Sequence, residues 1–491
     1  MKVKNILYKL FYSIFLCSFV VIFGKVLFDD SIHEYDTVFL LVSLVAAVGL
    51  VILSYSLLMR YSGVIERYYR IILVIFLSVY GILILVNGFI LRFTPTFDMD
   101  AVYGGAIQWV QEGTFRNYYE YYGYFPNNLG AMTILHTVFS IASFFGISDF
   151  FAVGIIFNTV LLTATILITS LTCRKLRGSV AGVMALVFFV LCIPFLFMGA
   201  AFYTDSLSLL FPVLFYYLYL HFKEQETWKN RIIFAGGMAV VLTIGMMIKF
   251  TVLIVLVAVI IDALLCLDWK KVGLIAAFSI CIALISFSIM DAYMYHVHLD
   301  KEECERLNTP YLHWVMMGMQ NNGYYSPEDY EYTRAQIPEE RNQACLRKIE
   351  ERIRGMGVFG LTELFINKAV VCFGDGSYAL SDFLDDSPEN ETWLHRYILY
   401  EGEDFKDYQQ LTTGILLAVY LFMVLGALDC LREKKESSKL SLLAPRLASL
   451  GILAFLLLWE TSGRYFTNYI PFMLICAVLS LVWKKGGNTD V

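Results

Sequence analysis

The chain has 491 residues, of which 58% are hydrophobic and only 16% are charged, and its mean hydropathy is +0.64. A soluble domain carries about 25% charged residues, so the composition excludes an ordinary soluble protein and indicates an integral membrane protein. The net charge of −6 decides little, because the placement of Lys and Arg along the chain matters more than their total. No nucleic-acid partner is expected.

Apolar runs of roughly 20 residues predict transmembrane helices, and the sequence has about 12 of them. The first run follows a basic start, and its length predicts a membrane span rather than a cleaved signal peptide. The predicted spans are residues 6–24, 37–58, 71–91, 152–172, 180–198, 205–222, 232–248, 250–267, 272–292, 411–430, 443–459 and 466–483. The chain is therefore expected to be an all-α polytopic membrane protein.

One further apolar stretch, residues 129–145, decides the topology. If this stretch does not cross the membrane, all the basic clusters fall on the cytoplasmic side, as the positive-inside rule requires. Both termini are then cytoplasmic, and residues 92–150 form one external segment with two surface helices, about 101–112 and 127–145. The basic clusters are Lys2/Lys4, Arg60/Arg67/Arg70, Arg174/Lys175/Arg177, Lys223/Lys229/Arg231, Lys270/Lys271, Arg432/Lys434/Lys435/Lys439 and Lys484/Lys485.

This topology divides the chain into four parts. They are two N-terminal membrane helices in 1–70, a transmembrane module in 71–292 that contains the external loop 92–150, a long external loop in 293–410, and C-terminal membrane helices in 411–491. The long loop carries Cys304, Cys345 and Cys372, of which two are able to pair if the loop is outside the cell, although the sequence does not say which two.

Ionisable residues collect at the predicted external ends of helices, where they are functional candidates. They are Asp98, Asp100, Asp205, Lys249, Glu460 and Arg464. A lipid-linked sugar phosphate carries its phosphate at this depth, where Lys and Arg side chains can bind it. A carboxylate can take the proton of an attacking hydroxyl group, and the same cations can stabilise the departing lipid phosphate.

Structural explanations compete with these roles. Asp98 and Asp205 precede predicted helices and are favourable N-caps. Lys249 and Arg464 lie at helix ends, where long cationic side chains reach towards lipid headgroups. Residues two apart do not share a helix face, so Asp98 and Asp100 are expected to act separately, with Asp100 mainly a helix-start residue.

The order of several short motifs resembles that of the GT-C superfamily of integral membrane glycosyltransferases. These motifs are "FDMDAVYGGAIQWVQEG", "AAFYTDSLS", "GMMIKFT", "HWVMMGMQNNGYYSPEDYEYT" and "SGRYFTNYIPF". The similar families are the protein O-mannosyltransferases and the lipid A aminoarabinose transferase of glycosyltransferase family 39, and the last two motifs resemble Gram-positive bacterial members. The resemblance covers about residues 71–485 in order, and it implies a GT-C fold.

The resemblance also implies roles for individual residues. Asp98 matches the catalytic base, Asp205 the second external acid, and Lys249 a phosphate-binding lysine that Arg464 is expected to assist. The candidates for substrate binding are Asp100, Asn127, Asn128, Tyr203 and His313. Met99 stands where the family often has Glu, and "YFPNN" replaces a Glu-Lys-Pro sequence that supplies a possible metal ligand. No metal ligand or cofactor is therefore assigned, and a divalent metal is left open.

The expected function is transfer of a sugar from a polyprenyl-phosphate donor to an extracytoplasmic acceptor, with inversion at the anomeric carbon. A cell-surface glycan or teichoic acid is the favoured acceptor, and a lipid or a protein is the alternative. The competing class is a transporter or a flippase for lipid-linked sugars. Transporters often show two similar halves and charges near the membrane midplane, whereas this sequence shows no internal repeat.

Overall fold

In the computed structural model, residues 2–384, 388–432 and 442–482 are described, and they form helices without any named strand in those ranges. The basic residues Lys434, Lys435, Lys439, Lys484 and Lys485, which entered the topology prediction, lie outside the described residues. The all-α membrane fold predicted from the sequence is therefore confirmed for the described part of the chain.

The α-helices in chain order are α1 (Lys2–Phe28), α2 (Thr37–Arg60), α3 (Ser62–Ile90), α4 (Phe97–Glu112), α5 (Tyr119–Tyr124), α6 (Leu129–Phe144), α7 (Phe150–Leu191), α8 (Thr204–Leu207), α9 (Leu210–Glu224), α10 (Trp228–Ile248), α11 (Leu253–Cys266), α12 (Trp269–Val297), α13 (Lys301–Leu307), α14 (Tyr311–Met317), α15 (Pro327–Arg334), α16 (Arg341–Phe373), α17 (Ser381–Leu384), α18 (His395–Ile398), α19 (Phe405–Arg432), α20 (Leu443–Leu458) and α21 (Ile470–Val482). Among the described residues, nine helical segments are long and apolar enough to cross a membrane. Three shorter apolar segments are built around α11, α20 and α21.

The long helix α7 consists of two antiparallel arms. Arg177 and Gly178 leave the helical conformation, and Gly178 has a φ of +82°, which a residue without a Cβ adopts readily. The Ser170 hydroxyl on the first arm donates a 2.7 Å hydrogen bond to the Gly182 carbonyl on the second. Further along, the Asn158 amide donates to the Met198 carbonyl at 2.8 Å. The arms correspond to the predicted spans 152–172 and 180–198.

The segment between α3 and α7 begins and ends at the same end of the bundle. Arg92, just after α3, donates two hydrogen bonds to the Asp149 carboxylate, at 2.8 and 3.1 Å. Asp149 is also the N-cap of α7. A second carboxylate, Glu389, accepts from Arg92 Nε at 3.0 Å. Arg92 comes directly before residues 93–148 and Asp149 comes directly after them. Because the two side chains are in contact, the segment leaves the bundle and returns to it at the same end. We call this the Arg92 end.

Helix α6 lies across the Arg92 end. At its start, Gly130 packs so closely on the end of α10 that a Cβ there would lie 2.1 Å from the Met247 carbonyl oxygen. Further along, the Phe139 ring contacts the Phe150 ring at the start of α7, with 5.2 Å between centroids. A helix that joins the ends of two other helices runs along the surface of the bundle. Its side chain Phe144 is 85% exposed, as in helices at a membrane interface.

Helix α16 differs from the expectation of a purely polar external loop. Its first half is charged, Gly357 interrupts it with a φ of +59°, and its second half is apolar. By length and composition the segment Pro338–Phe373 qualifies as a candidate span, which was not predicted from the sequence. Its C-terminal turns nevertheless meet other helix ends, since Lys368 donates to the Trp459 carbonyl at 2.7 Å, just after α20.

The three cysteines of the 293–410 segment are all free and buried. The sequence left a disulfide between two of them open, and the structure has none among the three. Cys345 and Cys372 lie on the two halves of α16, and Cys304 lies on α13. The Cys345 thiol contacts the Thr333 hydroxyl instead, at 3.7 Å, so these side chains fill small spaces in the packing.

Candidate functional site

A buried ion-pair cluster lies at the Arg92 end, beside α6. Asp205 stands in the first turn of α8 with 4% of its surface exposed. Lys249 follows α10 in an extended conformation, and its ammonium group is hydrogen-bonded to the Asp205 carboxylate. Burial lowers the pKa of Lys249, and the neighbouring Asp205 carboxylate opposes that shift. The prediction that Asp205 and Lys249 collect at one end of the bundle agrees with this geometry.

Arg464 joins this cluster from the loop between α20 and α21. Its Nη1 atom lies 3.6 Å from the second oxygen of Asp205, and its Nε lies 3.7 Å from Asp382 Oδ2. The guanidinium group also packs on the rings of Phe383 and Tyr465, at 4.7 and 5.3 Å from their centroids. Its pKa lies above the usual value although burial acts to lower it, because Tyr465 and Asp205 face it. Arg464 is therefore a fixed positive charge.

Two polar atoms of this cluster are buried without a hydrogen-bond partner among the described residues. They are Asp205 Oδ2 and Arg464 Nε. Leaving a buried polar group unsatisfied costs about 1–3 kcal/mol, and more for a charged group. A bound molecule that offers both an acceptor and a donor would satisfy both atoms, so this pair of atoms marks a place for a ligand.

Asp98 is connected to the cluster by a chain of hydrogen bonds. Its Oδ1 accepts from the Tyr121 hydroxyl at 2.8 Å, and that hydroxyl accepts from the Asn128 amide at 2.6 Å. Asn128 also donates to the Tyr203 hydroxyl at 3.3 Å, and Asn127 donates to the Asn128 side chain at 3.1 Å. The ring of Tyr203 then lies under Arg464, with its centroid 5.7 Å from the guanidinium carbon.

The alternative role of Asp98 as an N-cap is not what the structure shows. Helix α4 begins at Phe97, four residues before the predicted start at 101, and its N-cap is Thr96. Asp98 is thus inside the first turn, and its carboxylate accepts from a tyrosine hydroxyl of another helix. An acid in a first helical turn is still stabilised by the helix dipole.

Asp100 and His313 do not join this group. Asp100 accepts from the Tyr118 hydroxyl at 3.2 Å, on the far side of α4, and burial raises its pKa. His313 is fully buried on α14, where its Nδ1 lies 2.8 Å from the Thr333 hydroxyl oxygen. Burial lowers the pKa of His313 to about 4, so it is neutral at pH 7. The hydrogen bonds and ion pairs of the described chain connect neither residue to Asp98, Lys249 or Arg464.

The structure adds two acids that were not assigned to the site from the sequence. Asp382 faces Arg464, accepts from the Tyr400 hydroxyl, and lies 3.4 Å from the Ser462 hydroxyl oxygen. Glu460 was one of the functional candidates at the external helix ends but had no assigned role; it is 8% exposed and hydrogen-bonded to Tyr465. The signal for Asp382 was weak, because it is one of four acids in "GDGSYALSDFLDD".

The loop before Asp382 is strained. Tyr378 and Ala379 are consecutive residues with positive φ, 59° and 46°, although neither is glycine. Asp375 maintains this geometry by accepting from the Ser377 backbone at 2.9 Å and from the Ala379 backbone at 3.3 Å. Such strain persists only where the surroundings impose it, and it concentrates at binding and catalytic sites.

Within the described ranges, no three His, Cys, Asp or Glu side chains are grouped so that they could hold a metal ion. The site consists instead of two cations, several carboxylates and aromatic rings. This set is suited to binding an anion and to moving a proton.

A comparison with curated protein sequences gives no match. The chain does match the family model described as "Conserved hypothetical integral membrane protein" over residues 1–485. It therefore belongs to this family of integral membrane proteins.

Proposed function

We propose that this protein is a GT-C-type membrane glycosyltransferase that moves a sugar from a polyprenyl-phosphate donor to an acceptor outside the cytoplasmic membrane. The observation that carries the proposal is the pairing of one buried carboxylate, Asp205, with two cations, Lys249 and Arg464. Asp205 Oδ2 and Arg464 Nε remain without hydrogen-bond partners in the described structure.

Lys249 and Arg464 bind the donor phosphate in this proposal. Both lie just beyond the ends of candidate membrane segments, where a lipid carries its headgroup. Phe250, the residue after Lys249, is 62% exposed, so an apolar surface adjoins the cation on the side where a lipid tail would lie. As the bond from sugar to phosphate breaks, the two cations stabilise the charge that the lipid phosphate gains.

Asp98 acts as the general base. It accepts the proton of the acceptor hydroxyl as that oxygen attacks the anomeric carbon, which inverts its configuration. The Tyr121 hydroxyl binds one carboxylate oxygen, and Asn128 binds Tyr121, so these contacts restrict the orientation of the Asp98 carboxylate. Asp205 keeps Lys249 and Arg464 in place, and Tyr203, Asn127 and Asn128 contact the sugar or phosphate.

The proposed orientation of the protein in the membrane rests on where its basic residues lie. The ion pair Lys175–Glu224 and the basic residues around the α7 turn lie away from the Arg92 end, and the positive-inside rule puts them in the cytoplasm. The Arg92 end then faces outwards, where a cell-surface glycan, a teichoic acid, a lipid or a protein is the acceptor.

The test compares cell-surface glycans from strains that carry wild type, Asp98→Asn or Asp30→Asn at equal membrane abundance. Asp30 is an exposed residue in the α1–α2 loop, so its variant controls for loss of an acid at the same end of the bundle. We expect Asp98→Asn to abolish the glycan modification and Asp30→Asn to retain it. Unchanged glycans in the Asp98→Asn strain would contradict the assignment of Asp98 as base.

The second candidate is a transporter or flippase for lipid-linked sugars. It shares the anion-binding cluster and needs no general base. Purified protein in vesicles, supplied with membrane-extracted polyprenyl-phosphate sugars, separates the two functions. Translocation of the intact donor without release of polyprenyl phosphate would favour the transporter, and release of polyprenyl phosphate that depends on an added acceptor would favour the transferase.

A further inference from the structure

Glu460 occupies a position that the proposed chemistry does not yet use. It follows α20 by two residues, and only 8% of its surface is exposed. On its own loop it faces Arg464 and Tyr465, and Tyr465 forms a side-chain hydrogen bond with it. Asp98 on α4 and Lys368 on α16 also act on it electrostatically. The charge of Glu460 also acts on two further titratable groups, Tyr325 and the Cys372 thiol.

Negative charge outnumbers positive charge around this point. Four carboxylates, Asp98, Asp205, Asp382 and Glu460, are connected through Arg464, Tyr203 or Tyr465. The nearby cations are Lys249, Arg464 and Lys368. Lys368 is fully buried and donates to the carbonyls of Gly318 and Trp459, both at 2.7 Å, so two of its three N–H groups already have partners. A phosphate that binds here adds negative charge to a cluster in which carboxylates already outnumber cations.

The four carboxylates differ in their neighbours. Asp205 contacts two cations, and Asp382 faces Arg464 and accepts from Tyr400. Asp98 accepts from Tyr121 in a partly exposed position. Glu460 is buried, and no cation lies within ion-pair distance of it in the described part of the chain. Burial raises the pKa of Glu460 to about 7, and Asp98 adds to this effect while Arg464 opposes it.

We propose that Glu460 takes up a proton when a phosphodiester anion binds between Lys249 and Arg464, so that binding of the lipid phosphate is coupled to protonation of this carboxyl group. The inference rests on the proposed function, because it uses the same phosphate site. It adds a proton-binding residue to that site, distinct from the base Asp98.

The direction in which binding affinity changes with pH follows from the negative charge of the ligand. A bound anion near Glu460 raises its pKa further, so the complex holds a proton that the free protein loses as pH rises. Affinity is then independent of pH well below about pH 7 and falls above it, by at most about tenfold per pH unit for one proton.

The experiment measures binding of methyl farnesyl phosphate to the purified full-length protein in detergent micelles, between about pH 6 and about pH 9. This diester keeps a single negative charge throughout, so the probe does not titrate. We expect wild-type affinity to fall about tenfold or more across the range, and Glu460→Gln to bind with little dependence on pH. Glu226→Gln, an exposed residue after α9, serves as the matched control and should behave like wild type.

A second measurement needs no variant. Titration calorimetry of wild type at about pH 8, in two buffers with different ionisation enthalpies, reports the protons taken up on binding. Uptake of a substantial fraction of one proton supports the proposal. Zero uptake overturns it, as does a Glu460→Gln variant that keeps the wild-type pH slope.

The same assay separates this inference from the proposed function. Arg464→Gln and Lys249→Gln should each weaken binding of the diester strongly, whereas farnesol, the uncharged analogue, should not distinguish these variants from wild type. If the two variants bind the diester as well as wild type does, the phosphate site itself is wrong. If they lose binding while the pH slope survives in Glu460→Gln, only the role of Glu460 is wrong.

Discussion

Two buried Asp–Lys pairs lie near opposite ends of α9 and differ in the other partners that each Asp has. Near its end, Asp262 is 1% exposed, accepts from the Tyr219 hydroxyl at 2.6 Å, and lies 3.7 Å from Lys223. Before its start, Asp205 contacts both Lys249 and Arg464. Asp205 Oδ2 has no hydrogen-bond partner among the described residues, whereas no buried oxygen of Asp262 lacks one there.

The difference separates a structural pair from a ligand site. A single cation and a hydroxyl group satisfy Asp262, and such a closed pair holds α9 against α11 without need of a further molecule. At Asp205 two cations meet one carboxylate, and Asp205 Oδ2 and Arg464 Nε have no hydrogen-bond partner among the described residues, which suits the binding of a further polar molecule. Burial is similar at both places, so the number of partners is the property that distinguishes them.

The largest expected effect comes from removing one cation from each pair. Arg464→Gln should lower the transferase rate by about 10²–10³-fold, because it removes a charge that stabilises the leaving phosphate. Lys223→Gln should leave the rate near that of wild type and lower the stability by about 1–3 kcal/mol. Rates in vesicles and thermal unfolding in detergent measure the two effects. Equal loss of rate in both variants would erase the distinction between the pairs.

A somewhat smaller effect is expected when the two carboxylates are neutralised. Asp205→Asn should cost about 10²-fold in rate, since Lys249 and Arg464 lose the group that positions them. Asp262→Asn should retain the activity but melt at a lower temperature, because Lys223 loses its anionic partner and Tyr219 loses a charged acceptor. An Asp205→Asn protein with the full wild-type rate would show that Asp205 is a structural acid like Asp262.

The third prediction concerns the contact that places α6 beside Lys249. Gly130→Ala should reduce the rate about tenfold, because the new methyl group would overlap the Met247 carbonyl two residues before Lys249. Gly24→Ala on α1, where an added methyl group would meet no neighbouring atom within 4 Å, should match wild type in rate and stability. Wild-type activity in Gly130→Ala would mean that this contact does not position Lys249.

The smallest effect is expected at the tyrosine that holds Asp98. Tyr121→Phe removes the hydroxyl group that donates to Asp98 and accepts from Asn128. The hydrogen bond to Asp98 is worth about 0.5–1.5 kcal/mol, so the rate should fall about threefold to tenfold while KM for the donor stays the same. Tyr118→Phe removes the equivalent bond to Asp100 and should have less effect on the rate. A larger loss in Tyr118→Phe would indicate that Asp100, rather than Asp98, is the functional acid.

Much of the helical architecture could be predicted from the sequence because apolar length is a local property. The runs at 37–58 and 272–292 lie within α2 and α12, and the basic cluster at Arg174–Arg177 marks the turn inside α7. The predicted start of α4 was wrong, since Phe97 adopts a φ of +46° that no local sequence pattern predicts. The apolar half of α16 was missed because it continues from a strongly charged half.

The site was only partly predictable for a different reason. Asp205, Lys249 and Arg464 each lie beside an apolar run, so their depth in the membrane could be inferred from position alone. The contact between Asp382 and Arg464 joins residues far apart in sequence, and the burial of Glu460 depends on α4 and α16 packing around it. His313 was a candidate for substrate binding because of the family resemblance, yet the fold encloses it completely.

The hydrogen bonds between Arg92 and Asp149 have a consequence for how this protein can change over evolution. Because one guanidinium group ties together the two ends of the 93–148 segment, the membrane helices on either side do not depend on the length of chain between them. Lengthening a closed loop costs little, about 0.6 kcal/mol for each doubling. The surface segment can therefore gain or lose residues while the membrane helices stay in register.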